Sequence, residues 1–304
     1  MDLGLRDRVY LVTGGSRGLG FAAAQSLVAD GARVLLSAPH ESTAAAAAAR
    51  LTRDAGPGAA GWAVVDNADP TAPGRLITAA RDRFGRLDGA LISVGGSPGG
   101  TVAATSDDAW RSAFESVFLG AVRLARVLAA SLAGARDEES LSGTGGSIAF
   151  VLAASVRTPL PGLAISNGLF PGLAGVVKTL ADEHGPSGIR INGLMPVRVA
   201  TDRVRQLDAL LGDPDEVRAR LSQDIPRRRY GEPAEFGRAA AFILSPAAAH
   251  AAAGRAQQPV ALYLPVEQQV QADAVPVGAQ AGVEVADHHH GMMNASGHST
   301  RGAA

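Results

Sequence analysis

The stretch Thr13-Gly14-Gly15-Ser16-Arg17-Gly18-Leu19-Gly20 most restricts what this chain can fold into. Val9-Tyr10-Leu11-Val12 precedes it, an apolar run of the length a buried strand needs. Phe21-Ala22-Ala23-Ala24-Gln25-Ser26-Leu27-Val28 follows and reads as a helix. A glycine-rich turn between a strand and a helix aims backbone N–H groups, and the positive end of the helix dipole, at one point. Such a point suits an anionic phosphate. Glycines let the backbone approach it closely. Four glycines in a plain loop carry no such meaning; the strand-then-helix setting supplies it.

The same alternation continues downstream. Strands are expected at 33–37, 63–65, 90–92 and 147–152, and at Ile189-Arg190-Ile191-Asn192-Gly193-Leu194. Helices are expected at 20–30, 41–55, 70–84 and 106–132, the last with Phe114, Val117, Phe118, Ala121, Val122, Ala125 and Leu128 at helical spacing. Asp137 to Gly146 reads as a polar loop. The pattern gives an α/β fold: a doubly wound parallel sheet with helices on both faces, spanning residues 1–246.

Composition removes several functional classes. The net charge is −1, which leaves no general surface for nucleic acid. There is no cysteine, so disulfides and thiolate metal sites are excluded, and no metal site is expected. Arg, Asp or Gly interrupts the apolar runs, so no membrane span is expected. Met1 to Asp7 lack the apolar segment of a secretory signal, and a cytoplasmic location is expected. Lys178 is the sole lysine.

The Thr-Gly-x-x-x-Gly-x-Gly loop resembles the cofactor loop of the short-chain dehydrogenase/reductase family. Later stretches fit that family in order up to about Pro246. Ser93-Val94-Gly95-Gly96 stands where the family has Asn-Asn-Ala-Gly. Ile225-Pro226-Arg227-Arg228-Arg229-Tyr230-Gly231-Glu232-Pro233 stands before the last helix. The resemblance implies a Rossmann domain that binds NAD(P) through Gly14, Ser16, Arg17, Gly18, Leu19, Gly20, Ser37, Asp66, Asn67, Ser93, Gly95, Pro196 and Thr201. Asp66 would receive the adenine amino group. Ser37-Ala38-Pro39-His40 offers no carboxylate to a ribose 2′-hydroxyl, and Arg17 could pair with a 2′-phosphate, so NADP is favoured over NAD. A solvated Arg17 is the alternative.

The family's Tyr-x-x-x-Lys is absent. Aligned on Gly175 to Ala181, the tyrosine position is Ser166 and the lysine position Phe170. The asparagine position of the family's proton relay is Val117. Ser155 takes the family's serine position, with a plain loop role as the alternative. Ser166-Asn167-Gly168-Leu169 resembles a divergent branch carrying Ser-Asn-x-Leu, whose members are named as oxidoreductases or as 3-oxoacyl-carrier-protein reductase-like. Ser155, Ser166 and Asn167 are the candidate catalytic groups. The resemblance thus implies NAD(P)(H)-dependent carbonyl reduction or alcohol oxidation with a degenerate catalytic tetrad. The alternative is a non-catalytic NAD(P)-binding sensor or partner protein.

Asp202 to Asp224 would form a substrate lid, and the partner a small carbonyl or alcohol compound, with neither nucleic acid nor membrane. From 247 to 304 the composition changes: six of nine glutamines and five of seven histidines lie there. This segment is read as an atypical, disordered extension, fused or out of frame. Its lack of the family's last strand would weaken a homo-oligomeric dimer or tetramer.

Overall fold

The computed structural model describes residues 2–134 and 145–252. The polar loop expected up to Gly146 falls mostly outside the described residues. So does the extension beyond 252.

Six parallel strands form the sheet: β1 (Val9–Thr13), β2 (Arg33–Ala38), β3 (Ala60–Val64), β4 (Gly89–Ser93), β5 (Ser147–Val151) and β6 (Arg190–Leu194), in the order β3-β2-β1-β4-β5-β6. This is the doubly wound order. The chain winds outward from β1 in both directions, so loops diverge at the carboxyl ends of β1 and β4 and leave a crevice.

Both faces of the sheet are covered, which is why its strands read as unbroken apolar runs. Val9 and Leu11 point to one core; Tyr10 and Val12, one residue out of phase, point to the other. The first core packs α3 (Ala72–Phe84), α5 (Gly120–Ala133) and α6 (Ala164–His184). The second packs α1 (Gly18–Ala29), α2 (Glu41–Ala55) and α9 (Pro233–Leu244). Gly237 makes the α1–α9 contact possible, because a Cβ there would meet the Ala22 carbonyl.

Three local expectations change. β3 begins at Ala60, earlier than the apolar pattern suggests, because Ala60 and Gly61 pair with Val34 and Leu35. The Arg83 side chain lies over Gly61 in the space a side chain would need. The helix expected at 106–132 runs 107–133 but changes pitch: α4 (Asp107–Ala113), a π-helical turn at Phe114–Leu119, then α5. Phe114 and Phe118 stack through this turn with centroids 5.2 Å apart. The whole stretch 107–133 is long and apolar enough to span a membrane, contrary to expectation. Here its Leu124, Ala125, Leu128, Ala129 and Leu132 are buried against the sheet.

The region 202–224, expected to form a lid, folds as α7 (Asp202–Ala209) and α8 (Pro214–Ser222). Thr201 caps α7 through its hydroxyl, and Asp213 caps α8 by accepting from the N–H groups of Asp215 and Glu216. After α9, buried Arg190 donates to the carbonyls of Ile243 (2.7 Å), Leu244 (3.2 Å) and Ser245 (2.8 Å). These are among the carbonyls a helix end leaves without partners. Asn192, fully buried, donates to Ala251 at 2.8 Å. Both strand β6 side chains therefore anchor the C-terminal end of the described domain.

Candidate active site

The glycine turn is held from below by the sheet. The Thr13 hydroxyl accepts from the Ser93 N–H at 2.9 Å and donates to the Ser93 carbonyl at 3.1 Å, which ties the ends of β1 and β4 together. The Gly15 N–H donates to the Ser37 carbonyl at 3.2 Å. Gly14 has φ +57°, and a Cβ there would stand 2.7 Å from the Ser93 carbonyl oxygen. Gly20 lies against the Gly14 carbonyl, where a Cβ would stand at 2.5 Å. Those glycines are required by the turn itself, before any ligand is considered.

The turn delivers the N-terminus of α1, which starts at Gly18, toward Thr201. A groove of about 370 Å³ opens beside these two residues, with Gln25, Arg50, Arg218 and Tyr230 among its walls. Arg17 is exposed and makes no ion pair among the described residues. A free α1 N-terminus and a tight glycine turn fit a dinucleotide pyrophosphate; of the expected cofactor residues only Gly18 and Thr201 line the groove.

Ser16, Gly18 and Leu19 are partly exposed on this turn. Ser93 ends β4 and Gly95 follows it; Gly95 has open space where a Cβ would be. Pro196 follows β6 and is partly exposed. Ser37 is 1% exposed, and what it gives the site is its carbonyl, which supports Gly15 from behind. Asp66 is exposed past β3, with one carboxylate oxygen accepting from the Ala68 N–H at 2.9 Å. Asn67 is half-buried, its carbonyl against Gly120.

Ser155 sits in a short turn after β5 and is buried. Its hydroxyl donates to the Ser166 carbonyl at 3.2 Å. Ser166, also buried, lies in the first turn of α6. The structure thus brings the two serines together. It uses Asn167 differently: its Oδ1 accepts from the Leu160 N–H and its Nδ2 donates to the Leu160 carbonyl, both at 2.8 Å. Both polar ends of the amide are committed to that loop. One turn further, Phe170 is 6% exposed and packs in the core with Val117. Neither can hold or move a proton.

The chain resembles known proteins throughout this region. Residues 14–254 match the family model described as enoyl-(acyl carrier protein) reductase. Levodione reductase of Leifsonia aquatica is 31% identical over 250 residues, covering 79% of this chain and 88% of that protein.

The chain belongs to the short-chain dehydrogenase/reductase family.

A 3-oxoacyl-acyl-carrier-protein reductase of Synechocystis sp. is 29% identical over 248 residues, covering 81% of this chain and 93% of that protein. Among solved structures, L-sorbose reductase of Gluconobacter frateurii, complexed with NADPH and L-sorbose, superposes with a TM-score of 0.74 at 25% identity, covering 84% of this chain and 95% of that one. By family the chain is an oxidoreductase with a Rossmann fold.

Several residues around this short-chain dehydrogenase/reductase site escape a reading of local sequence. Asp208 of α7 is 2% exposed. It accepts from Arg198 at 2.5 Å and from the Tyr230 hydroxyl at 3.2 Å. The Arg198 and Arg218 guanidinium carbons lie 5.8 and 5.3 Å from the Tyr230 ring centroid. Burial, first of all, pushes the Tyr230 phenol up. This latch fixes the lid to the loop after β6. Arg203 of α7 donates to the Ser97 carbonyl, which fixes the lid to the loop after β4. That loop is in turn joined to the entry of α6. Gly100 donates to Gly162 at 2.7 Å, and its own carbonyl accepts from Ala164 at 3.1 Å. These partners are 10 to 106 residues apart in sequence, and no periodicity announces them.

Proposed function

We propose that this chain is an NADP(H)-dependent oxidoreductase that interconverts a small carbonyl compound and its alcohol, with Ser155 and Ser166 facing the reacting oxygen. One observation carries the reading. Ser155, just after β5, and Ser166, in the first turn of α6, are both buried, and the Ser155 hydroxyl donates to the Ser166 carbonyl, at the carboxyl end of the sheet that also carries the glycine turn. The NADPH complex and the 3-oxoacyl-acyl-carrier-protein reductase among its similar proteins support the cofactor and a carbonyl substrate. The absence of a carboxylate at the end of β2 and an Arg17 with no ion pair among the described residues favour the 2′-phosphate.

When bound, the nicotinamide supplies or accepts the hydride. The chain's own part is to bind, orient and deliver a proton. An aliphatic hydroxyl is a far weaker acid than a phenol, whose pKa is about 10. Ser155 and Ser166 therefore polarise the substrate oxygen by hydrogen bonding. They pass a proton on only while taking one from water. Turnover is correspondingly modest. Asn167 holds the Leu160 loop beside them and acts through position alone.

The buried Val117 and Phe170 favour a second reading, in which the chain binds NADP(H) without turnover as a sensor or partner subunit. One experiment separates the two. NADPH is titrated by fluorescence, then ketones and 3-oxoacyl thioesters are added. The enzyme reading expects NADPH oxidation that falls about 100-fold in Ser155→Ala or Ser166→Ala, with NADPH affinity kept. Binding without oxidation supports the second reading, and no binding refutes both.

A further inference from the structure

Among the described residues, Arg205 of α7 pairs with Asp215, Arg218 of α8 with Glu232 and Arg198 of the preceding loop with Asp208, while Arg220 of α8 is exposed and has no ion pair. Arg203 likewise has no carboxylate within ion-pair distance among the described residues. It is nevertheless half-buried, and desolvation weakens its hold on the proton. Its guanidinium donates one bond to the Ser97 carbonyl. It lies flat over Gly96, where a Cβ would stand 2.5 Å from Nε. A residue larger than glycine at 96 would displace it.

The Ser97 side chain adds an independent observation. The residue is 2% exposed, and its hydroxyl has no hydrogen-bond partner among the described residues. A buried unsatisfied hydroxyl and a half-desolvated, unpaired cation both cost stability unless something else completes them. They meet where α7 crosses the loop after β4, through the Arg203 bond to the Ser97 carbonyl. That loop leads from Ser93 and Gly95 at the end of β4 to Gly100, which is bonded to Gly162 and Ala164 just before Ser166. An anion with oxygens that accept from a guanidinium and a hydroxyl completes both groups at once.

We propose that Arg203 and Ser97 form a receptor for an anionic group on the substrate, so that the preferred substrates are oxo acids carrying a free carboxylate. This rests on the oxidoreductase reading of the site. The remaining Arg203 nitrogen protons grip the carboxylate, and the Ser97 hydroxyl donates to it.

The test is a binding comparison and needs no turnover. Straight-chain 2-oxo-, 4-oxo- and 5-oxo acids and their methyl esters are titrated calorimetrically into the full chain, with and without NADP⁺. At least one acid is expected to bind about 10- to 100-fold more tightly than its ester, the scale of a hydrogen bond to a charged group. Arg203→Met should bring that ratio to about one, and Ser97→Ala should lower it in part. Arg203→Lys should keep part of it, which guards against a folding defect in the Met variant. NADPH affinity should stay within about threefold in all three.

Equal binding of acids and esters to the wild type overturns the inference. So does an acid preference that survives in Arg203→Met, or no binding of any acid. If Arg203→Met instead weakens NADPH tenfold or more, the guanidinium serves the cofactor's phosphates, and the substrate role is again refuted. If the acids bind through Arg203 but no NADPH is oxidised, the anion receptor stands and the oxidoreductase reading fails.

Discussion

The substitution Asp208→Asn examines whether the lid is held by charge. Asp208 is 2% exposed and its side chain is the meeting point of three elements: α7, the loop carrying Arg198 and the turn carrying Tyr230. Asparagine keeps the size and can still accept one hydrogen bond. What it removes is the negative charge facing Arg198. Breaking a fully buried ion pair costs about 3–5 kcal/mol. Arg198 is 22% exposed on its side chain, so solvent compensates part of that loss, and about 2 kcal/mol is the expected cost. For a domain of this size that lowers Tm by about 4–8 °C. The direct assay is a double-mutant cycle by urea denaturation, using Asp208→Asn, Arg198→Met and the pair. A coupling of about 1.5 kcal/mol or more is expected. With the charge interaction already absent in Arg198→Met, the second substitution should add little. A coupling below about 0.5 kcal/mol would refute the latch, because the two groups would then behave as independent sites.

Two further outcomes follow from particular contacts. Gly14→Ala should destabilise the domain by about 2–4 kcal/mol, because alanine at φ +57° is strained and its Cβ would meet the Ser93 carbonyl at 2.7 Å. NADPH binding should weaken with it, whereas a variant with wild-type melting would show that the turn relaxes freely. Glu235, which accepts from both terminal nitrogens of Arg229 and from the Glu232 N–H, has its carboxyl lowered from 4.5 to about 2, first by the Arg229 hydrogen bonds. Its folded-state pKa is depressed, so its stabilisation is present above pH about 4.5 and is lost as pH falls toward about 2. Glu235→Gln should therefore reduce the pH dependence of urea stability across that acid range, and an unchanged profile would count against the Arg229 clamp.

The fold was legible because its evidence is local and periodic. Val9 to Val28 alone announce strand, glycine turn and helix. The apolar runs at 33–37, 90–92 and 147–152 mark strands covered on both faces. The glycines of the turn were also legible, since a positive φ and a close backbone approach admit little else. Ser155 was expected at a strand end, and Ser166 was singled out by the family resemblance; the helix whose first turn holds Ser166 is supplied by the structure. The structure was needed to join them, through a hydrogen bond between the Ser155 hydroxyl and the Ser166 carbonyl.

Side-chain roles that depend on a distant partner could not be read in this way. Asn167 looks like a polar group free for chemistry; folding spends its amide on Leu160. Ser37 looks like a ribose contact; its side chain is buried and its carbonyl holds Gly15. Arg203 is one of many arginines in the sequence. It becomes singular because α7 lays it on Gly96 and Ser97 without a carboxylate beside it. Local sequence determined the strands, helices and glycine turn, since backbone conformation and apolar periodicity act over a few residues. Tertiary structure alone decided which polar groups are paired and which remain available, because that depends on burial and on partners brought together from far along the chain.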